Sequence, residues 1–388
     1  MPSSFRRLNW ISFAAMLALA ATGTVAIWSA GNARAEAVFH GMWANNLATF
    51  AAGMAVYLAL AFADYRRLLD WLALPAYAGA LVLLVAVLLL GDTVYGGRRW
   101  LWFFQPSEVA KLCVIAFVAQ VFGRPIEGVE RGLSGFLWFL AGAAIVGVPS
   151  LLILAEPDLG TTLTLGPATL LMLFVARVWR KGLAVLIAVV ATAAAATVGA
   201  VYEAEKPGVA PERRERILAA VPLKPHQVKR VKTFLFPEAD AMGDGYNLRQ
   251  AKISIGSGGL SGKGIGRGET NHLKYLPQSI SMNDFIFCVY AEETGFIGSL
   301  ALLALYGALL VPCVWVAFTS SDGRGRLLAL GVPTLIFAHV YINIAMSIGL
   351  VPITGLPLPF ISSGRTFLVT VMAGLGLVQS VSINREEK

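Results

Sequence analysis

Charge is scarce in this sequence: Asp, Glu, Lys and Arg make up 14% of 388 residues, against about a quarter in a soluble domain. Hydrophobic residues make up 57%, which excludes an ordinary water-soluble surface and places the chain in the membrane class. Length alone would suggest two or three soluble domains, but the polar residues collect in short breaks between apolar runs. A single membrane domain spanning 1–388 is the expectation. Cysteine and histidine are equally sparse. Cys113, Cys288 and Cys313 lie in or beside apolar runs without paired or metal-like spacing, so a disulfide framework is excluded and core packing expected. His40, His226, His272 and His339 are scattered, and neither H-E-x-x-H nor a nucleophile elbow is present, so metal and triad chemistry are poorly supported. No internal repeat of fixed period and no cleavable signal are evident. The first apolar run, Trp10 to Ser29, is long enough to span and reads as the first helix. The net charge of +8 does not indicate nucleic acid here; in this class basic residues report orientation and contact with anionic lipid head groups.

What is present is a series of apolar windows of membrane-crossing length. They fall near 9–29, 44–63, 71–90, 105–122, 134–154, 161–176, 182–201, 285–317, 327–351 and 365–383. An all-α polytopic protein of about ten transmembrane helices follows, with both termini on one side. Arg6, Arg7, Arg66, Arg67, Arg124, Arg131, Arg177, Arg180, Lys181, Arg324, Arg326, Arg385 and Lys388 fall on one face, against Arg34, Arg98, Arg99 and Arg365 on the other. The positive-inside rule therefore puts both termini in the cytoplasm. One long polar stretch, 202–284, then faces outward as a large extracytoplasmic loop. Its length is far beyond the usual connection, so it is either functional or disordered. Phe234-Leu235-Phe236-Pro237 and the glycine-rich run from Ile255 to Gly264 are unlike a charged linker and favour function.

Ionisable residues within a membrane domain are costly enough to be functional candidates, with a structural pair as the common alternative. Glu108 and Lys111 share one face of the fourth span, positioned either to line a polar cavity or to brace the helix as a salt bridge. Gln105-Pro106-Ser107 supplies a helix start just before them. Asp158, in Glu156-Pro157-Asp158-Leu159-Gly160-Thr161, reads either as a cap of the sixth span or as a substrate or ion contact. Asp284 closes the long loop at the membrane surface, where it is a plain helix cap or a base with access to a lipid-anchored substrate. Glu292 and Glu293 follow about two turns later and need a cavity or a cation. The glycine-rich run with Lys263 invites a phosphate-cradle reading, but it is neither a Walker loop nor set between a strand and a helix.

Together these residues make the chain similar to the SEDS proteins, named for shape, elongation, division and sporulation, and most closely to their RodA branch. The likeness rests on Arg99-Trp100, Gln105 to Glu108 with Lys111, Pro157 to Thr161, Lys224-Pro225, Gly245-Tyr246 and Gln250. It continues through Ile255 to Gly264, Leu276-Pro277, Asp284 to Phe287, Ala291 to Glu293, Thr354-Gly355 and Pro357 to Phe360. The resemblance implies a peptidoglycan glycosyltransferase that polymerises lipid II into growing glycan strands at the outer face of the cytoplasmic membrane, partnered with a class B penicillin-binding protein. The family's essential aspartate matches Asp284. Deprotonating the attacking sugar hydroxyl needs one base, because the pyrophosphate of lipid II is already a good leaving group. Arg99, Lys111, Arg230 and Lys263 are candidates to neutralise that pyrophosphate. Glu108, Asp158 and Gln250 join them as candidate substrate contacts. No cofactor is certain; a divalent cation, magnesium or manganese, is a candidate.

Three departures from the family stand out. Six residues, Gln278 to Asn283, separate Leu276-Pro277 from Asp284, more than the family has, with Asn283 in place of its threonine. Ser362-Ser363-Gly364-Arg365-Thr366 introduces a cation where the family has glycine, and Glu156 replaces its common glutamine. A lipid II flippase or a non-catalytic scaffold for the transpeptidase are the competing readings, since a bundle with buried charges also suits a carrier.

Overall fold

The computed structural model describes residues 7–32, 40–94, 97–102, 104–125, 132–156, 158–206, 208–221, 223–240, 242–269, 275–277 and 281–385. Arg6, Arg34, Arg131, Pro157, His272, Gln278 to Ile280 and Lys388 lie outside the described residues. Backbone amides in lipid have no water to bond, so apolar runs close their hydrogen bonds internally as helices. The elements are α1 (Trp10–Asn32), α2 (Met42–Phe62), α3 (Tyr65–Leu90), a hairpin of β1 (Asp92–Val94) and β2 (Gly97–Trp100), α4 (Pro106–Phe122), α5 (Gly132–Ala155), α6 (Leu159–Val175) and α7 (Arg180–Ala204). The long connection then carries α8 (Pro211–Ala219), α9 (Pro225–Leu235), a 3-10 turn and α10 (Asp244–Ser257). The chain closes with α11 (Ile286–Thr319), α12 (Gly323–Ser347) and α13 (Arg365–Ile383).

Among the described residues, eight helices, α1, α2, α3, α5, α7, α11, α12 and α13, are long and apolar enough to cross a membrane. The 17-residue α4 and α6 rise roughly 26 Å, at the short end of what spans a bilayer core. They complete the ten spans expected from the sequence, and the protein is a multi-pass membrane protein. α3 begins at Tyr65 rather than near residue 71, because Asp64 caps it by accepting from the Arg66 amide at 3.0 Å. α13 and α12 form the centre, with 83% and 67% of their apolar windows buried, while α7, with 6% buried, gives nearly all of its surface to lipid.

The span expected over 285–317 is too long for one straight crossing, and α11 breaks at Gly295, whose φ of +69° no ordinary helix residue adopts. The glycine-rich run folds over this break. Phe296 and Ile297 donate to the Gly259 and Leu260 carbonyls at 2.9 and 3.1 Å, and Lys263 and Gly264 donate to the Glu292 and Glu293 carbonyls at 3.0 and 2.9 Å. The run thus satisfies the backbone groups that the kink releases. It is a clasp on α11 rather than a cradle presented to phosphate. The expected long loop is largely helical, and its α10 packs on the first turns of α11 through Leu248, Ala251, Phe285 and Cys288.

Candidate active site

Asp284 stands one residue ahead of the cap position of α11, which is Phe285 and makes no side-chain cap bond. The capping role open to it in the sequence is therefore not the one it has. Its main chain is held firmly instead. Asn343 of α12 donates to the Asp284 carbonyl at 2.9 Å and to the Leu356 carbonyl at 2.7 Å. Ser362 and Ser363 donate to the Asn283 carbonyl and to its Oδ1 at 2.6 and 2.5 Å. The Leu356 to Ser363 turn and the end of the long connection are thus stitched together, and the carboxylate is left half-buried with no hydrogen bond from the described residues.

Two arginines act on it electrostatically. Arg230 of α9 is anchored by donating to the Thr354 carbonyl at 3.0 Å, and Arg99 comes from β2. Desolvation pushes the Asp284 carboxyl up to about 6, Arg230 and then Arg99 oppose the rise, and Asp244 and Asp158 add to it. Burial, and then the neighbouring Arg99, hold Arg230 below its usual range. His226 on α9 is likewise lowered, by burial first and then by Arg230 and Arg99. A carboxylate titrating near neutrality beside two guanidiniums can take up a proton next to an anionic group.

Asp158 caps α6, its carboxylate accepting from the Thr161 amide and hydroxyl at 3.0 and 2.8 Å and from Gln105 Nε2 at 3.3 Å. Of the two roles the sequence left open it takes the cap, and it also contributes field at Asp284. Beside it, Glu156 is wholly buried, and neither carboxylate oxygen has a hydrogen bond from the described residues. Desolvation and then Asp158 raise it to about 8, against the pull of Arg99.

Glu108 and Lys111 do pair, at 2.9 Å, with both side chains buried. The Lys111 ammonium also meets His339 Nε2 at 2.7 Å and lies over the Phe367 ring at 5.3 Å. The void beside them measures about 10 Å³, room for about one water. The structure thus has a brace between α4 and α12 here, and His339 and Phe367 fill the space in which the sequence suggested a polar cavity. Sequence reasoning passed over His339 because a lone histidine in an apolar run carries no spacing signal.

Lys263 is not among the charges that shift Asp284. It pairs with Glu292 at 2.9 Å and Glu269 at 3.4 Å, about two turns along α11. Glu292 finds there the cation it needs, and Glu293 accepts from Ser29 at 2.5 Å. Gln250 is half-buried on α10, and Arg365 is exposed at the start of α13. Cys288 and Cys313 are buried and Cys113 half-buried, all as free thiols. Among the described residues no three His, Cys, Asp or Glu side chains come together as a metal site.

A family model described as cell cycle protein, the FtsW/RodA/SpoVE model, matches residues 9–387. The peptidoglycan glycosyltransferase MrdB of Escherichia coli K12 is 34% identical over 376 residues, covering 96% of this chain and 92% of MrdB. The crystal structure of the Thermus thermophilus rod shape determining protein RodA superposes with a TM-score of 0.65 at 26% identity, covering 98% of each chain. A chain from a peptidoglycan synthase complex that coordinates polymerization and crosslinking superposes with a TM-score of 0.73 at 28% identity, covering 98% of this chain and 99% of that one.

Proposed function

Because the chain belongs to the FtsW/RodA/SpoVE family of cell cycle proteins, we propose that it is a peptidoglycan glycosyltransferase that polymerises lipid II at the outer face of the cytoplasmic membrane. The observation that carries this reading is Asp284, a carboxylate with no hydrogen bond from the described residues, held by its main chain, with a pKa of about 6 and two arginines acting on it. Asp284 takes the proton of the acceptor's GlcNAc 4-hydroxyl as that oxygen attacks the anomeric carbon of the donor sugar. The bond from that carbon to the undecaprenyl pyrophosphate breaks with inversion, and the pyrophosphate leaves with the electron pair. Arg230 and Arg99 neutralise the charge that grows on it. A positioned base supplies about 10²–10⁴ in rate, and orientation of two lipid-held sugars and charge stabilisation supply the remainder.

In this reading the Asp284 end of the bundle faces outward, both termini are cytoplasmic, and the partner is a class B penicillin-binding protein that cross-links the strands during cell elongation. Support for the sidedness is that arginines following α4 and α6 and beginning α12 gather at the opposite end. The likeness to a chain of a peptidoglycan synthase complex supports the partner.

The test is purified protein, with and without the transpeptidase, given labelled lipid II. Glycan ladders that disappear in Asp284→Ala are expected. Ladders of undiminished intensity in that variant overturn the assignment of the base, lipid translocation without polymer indicates a flippase, and neither activity indicates a scaffold.

A further inference from the structure

A large cavity lined by described residues lies far from Asp284. It measures about 700 Å³ and opens where α4 and α6 end and α12 begins. α4 starts at Gln105, which touches Asp158, and ends on this cavity, so some 25 Å of helix separate the two places. The volume is that of a ligand site rather than of a packing defect.

Four arginines line it, Arg124, Arg177, Arg324 and Arg326, against two aspartates, Asp70 and Asp322. The aspartates act as orienters. Asp70 holds Arg124 at 2.5 Å and Arg324 at 3.0 Å, and Asp322 holds Arg324 at 3.5 Å. Arg326 is exposed and has no acidic partner among the described residues.

Two features set cations at positions that local backbone rules disfavour. α6 ends in a Schellman turn, with Arg177 and Val178 donating to the Phe174 and Leu173 carbonyls at 3.1 Å each. The left-handed position of that turn belongs to glycine, yet it holds Arg177 at a φ of +59°. Glycine would close the helix without strain but would bring no guanidinium to the cavity. Likewise Arg324 and Arg326 occupy the first turn of α12, where the helix dipole disfavours cations. A bound anion reverses that penalty. The same cavity has apolar walls, from Phe122, Val175 and Leu327, at the ends of membrane-spanning helices.

We propose that this cavity binds a phosphate ester carried on an apolar chain, with Arg177 and Arg326 clamping the phosphate and the walls taking the first carbons of the chain. Guanidinium groups in a cluster match phosphate oxygens in paired hydrogen bonds, which favours phosphate over a simple carboxylate. The phosphate reaches the site either on an anionic phospholipid or on a soluble ester. Binding here ties α4, α6 and α12 together at the end remote from Asp284.

The experiment uses the full-length protein, stripped of lipid in detergent, titrated with short-chain phosphatidylglycerol, short-chain phosphatidylcholine and glycerol phosphate. Saturable binding of phosphatidylglycerol is expected, weakened about tenfold in Arg177→Gly and in Arg326→Gln, the loss of one charge-assisted contact each. Arg67→Gln, which removes an exposed arginine outside the cavity, should bind as the parent does. Arg177→Gly should unfold at a higher temperature than the parent, which separates lost binding from lost fold. Competition by glycerol phosphate would show that the soluble ester suffices, and its failure would identify the lipid as the carrier; either sustains the phosphate site. Equal affinity for the two lipids, no saturable binding, or an equal loss in Arg67→Gln overturns it.

Discussion

Gly355 lies directly against Asp284: a Cβ built on it would stand 3.3 Å from Asp284 Oδ2 and 3.9 Å from Arg230 Nη2, at a φ of +72°. The Asp284 carboxylate and Arg230 therefore share a floor that only a residue without a side chain provides. Gly355→Ala forces a left-handed alanine and pushes a methyl group at the carboxylate, a strain of about 1–3 kcal/mol. Polymerisation should fall at least tenfold while the protein still purifies as a folded species. Initial rates on lipid II beside a thermal melt measure both.

The pH profile should show Asp284. With its pKa at about 6, the carboxylate loses its role as base below that pH, and the rate should drop about tenfold for each further unit. Arg230 is the first charge opposing the upward shift, so Arg230→Gln should move this acid limb to higher pH, by on the order of one unit. A limb unmoved by the substitution would mean that Arg230 does not act on the base.

Glu156 has a folded pKa of about 8 against an ordinary 4.5, so folding takes up a proton between those values. Its contribution is fully present below pH 4.5 and is lost as pH rises toward 8. Glu156→Gln, neutral throughout, removes that slope. The variant should melt with the parent in acid and above it at pH 8, as thermal melts across the range would show.

Lys111→Met leaves Glu108 buried without its cation, at a cost of about 3–5 kcal/mol. Combining it with Glu108→Gln should recover most of the loss, because no charge is then left unpaired. Yield and melting temperature of the single and double variants check this, and equal damage in both would point to packing by the Lys111 chain instead.

The number of helices and their membrane class were legible before any folding was considered. Run length and polarity are local quantities, and lipid imposes one backbone solution on each run. The order of motifs along the chain likewise needed no geometry. Partnerships between distant residues were not legible. Lys263 looked available for pyrophosphate until the kink at Gly295 brought Glu292 to it. Lys111 looked open to a cavity until α12 delivered His339. Asp158 could cap or bind, and the position of Gln105 and Thr161 made it a cap. In each case the side chain's role depends on which opposite charge or hydrogen-bond partner arrives from another helix, a matter of packing that neither spacing nor composition encodes. In the sequence Asp284 reads as a cap or a base, and resemblance favours the base; its half-buried carboxylate, with no hydrogen bond from the described residues, stands beside Arg230 and Gly355 only once α9, α11 and the turn before α13 have met.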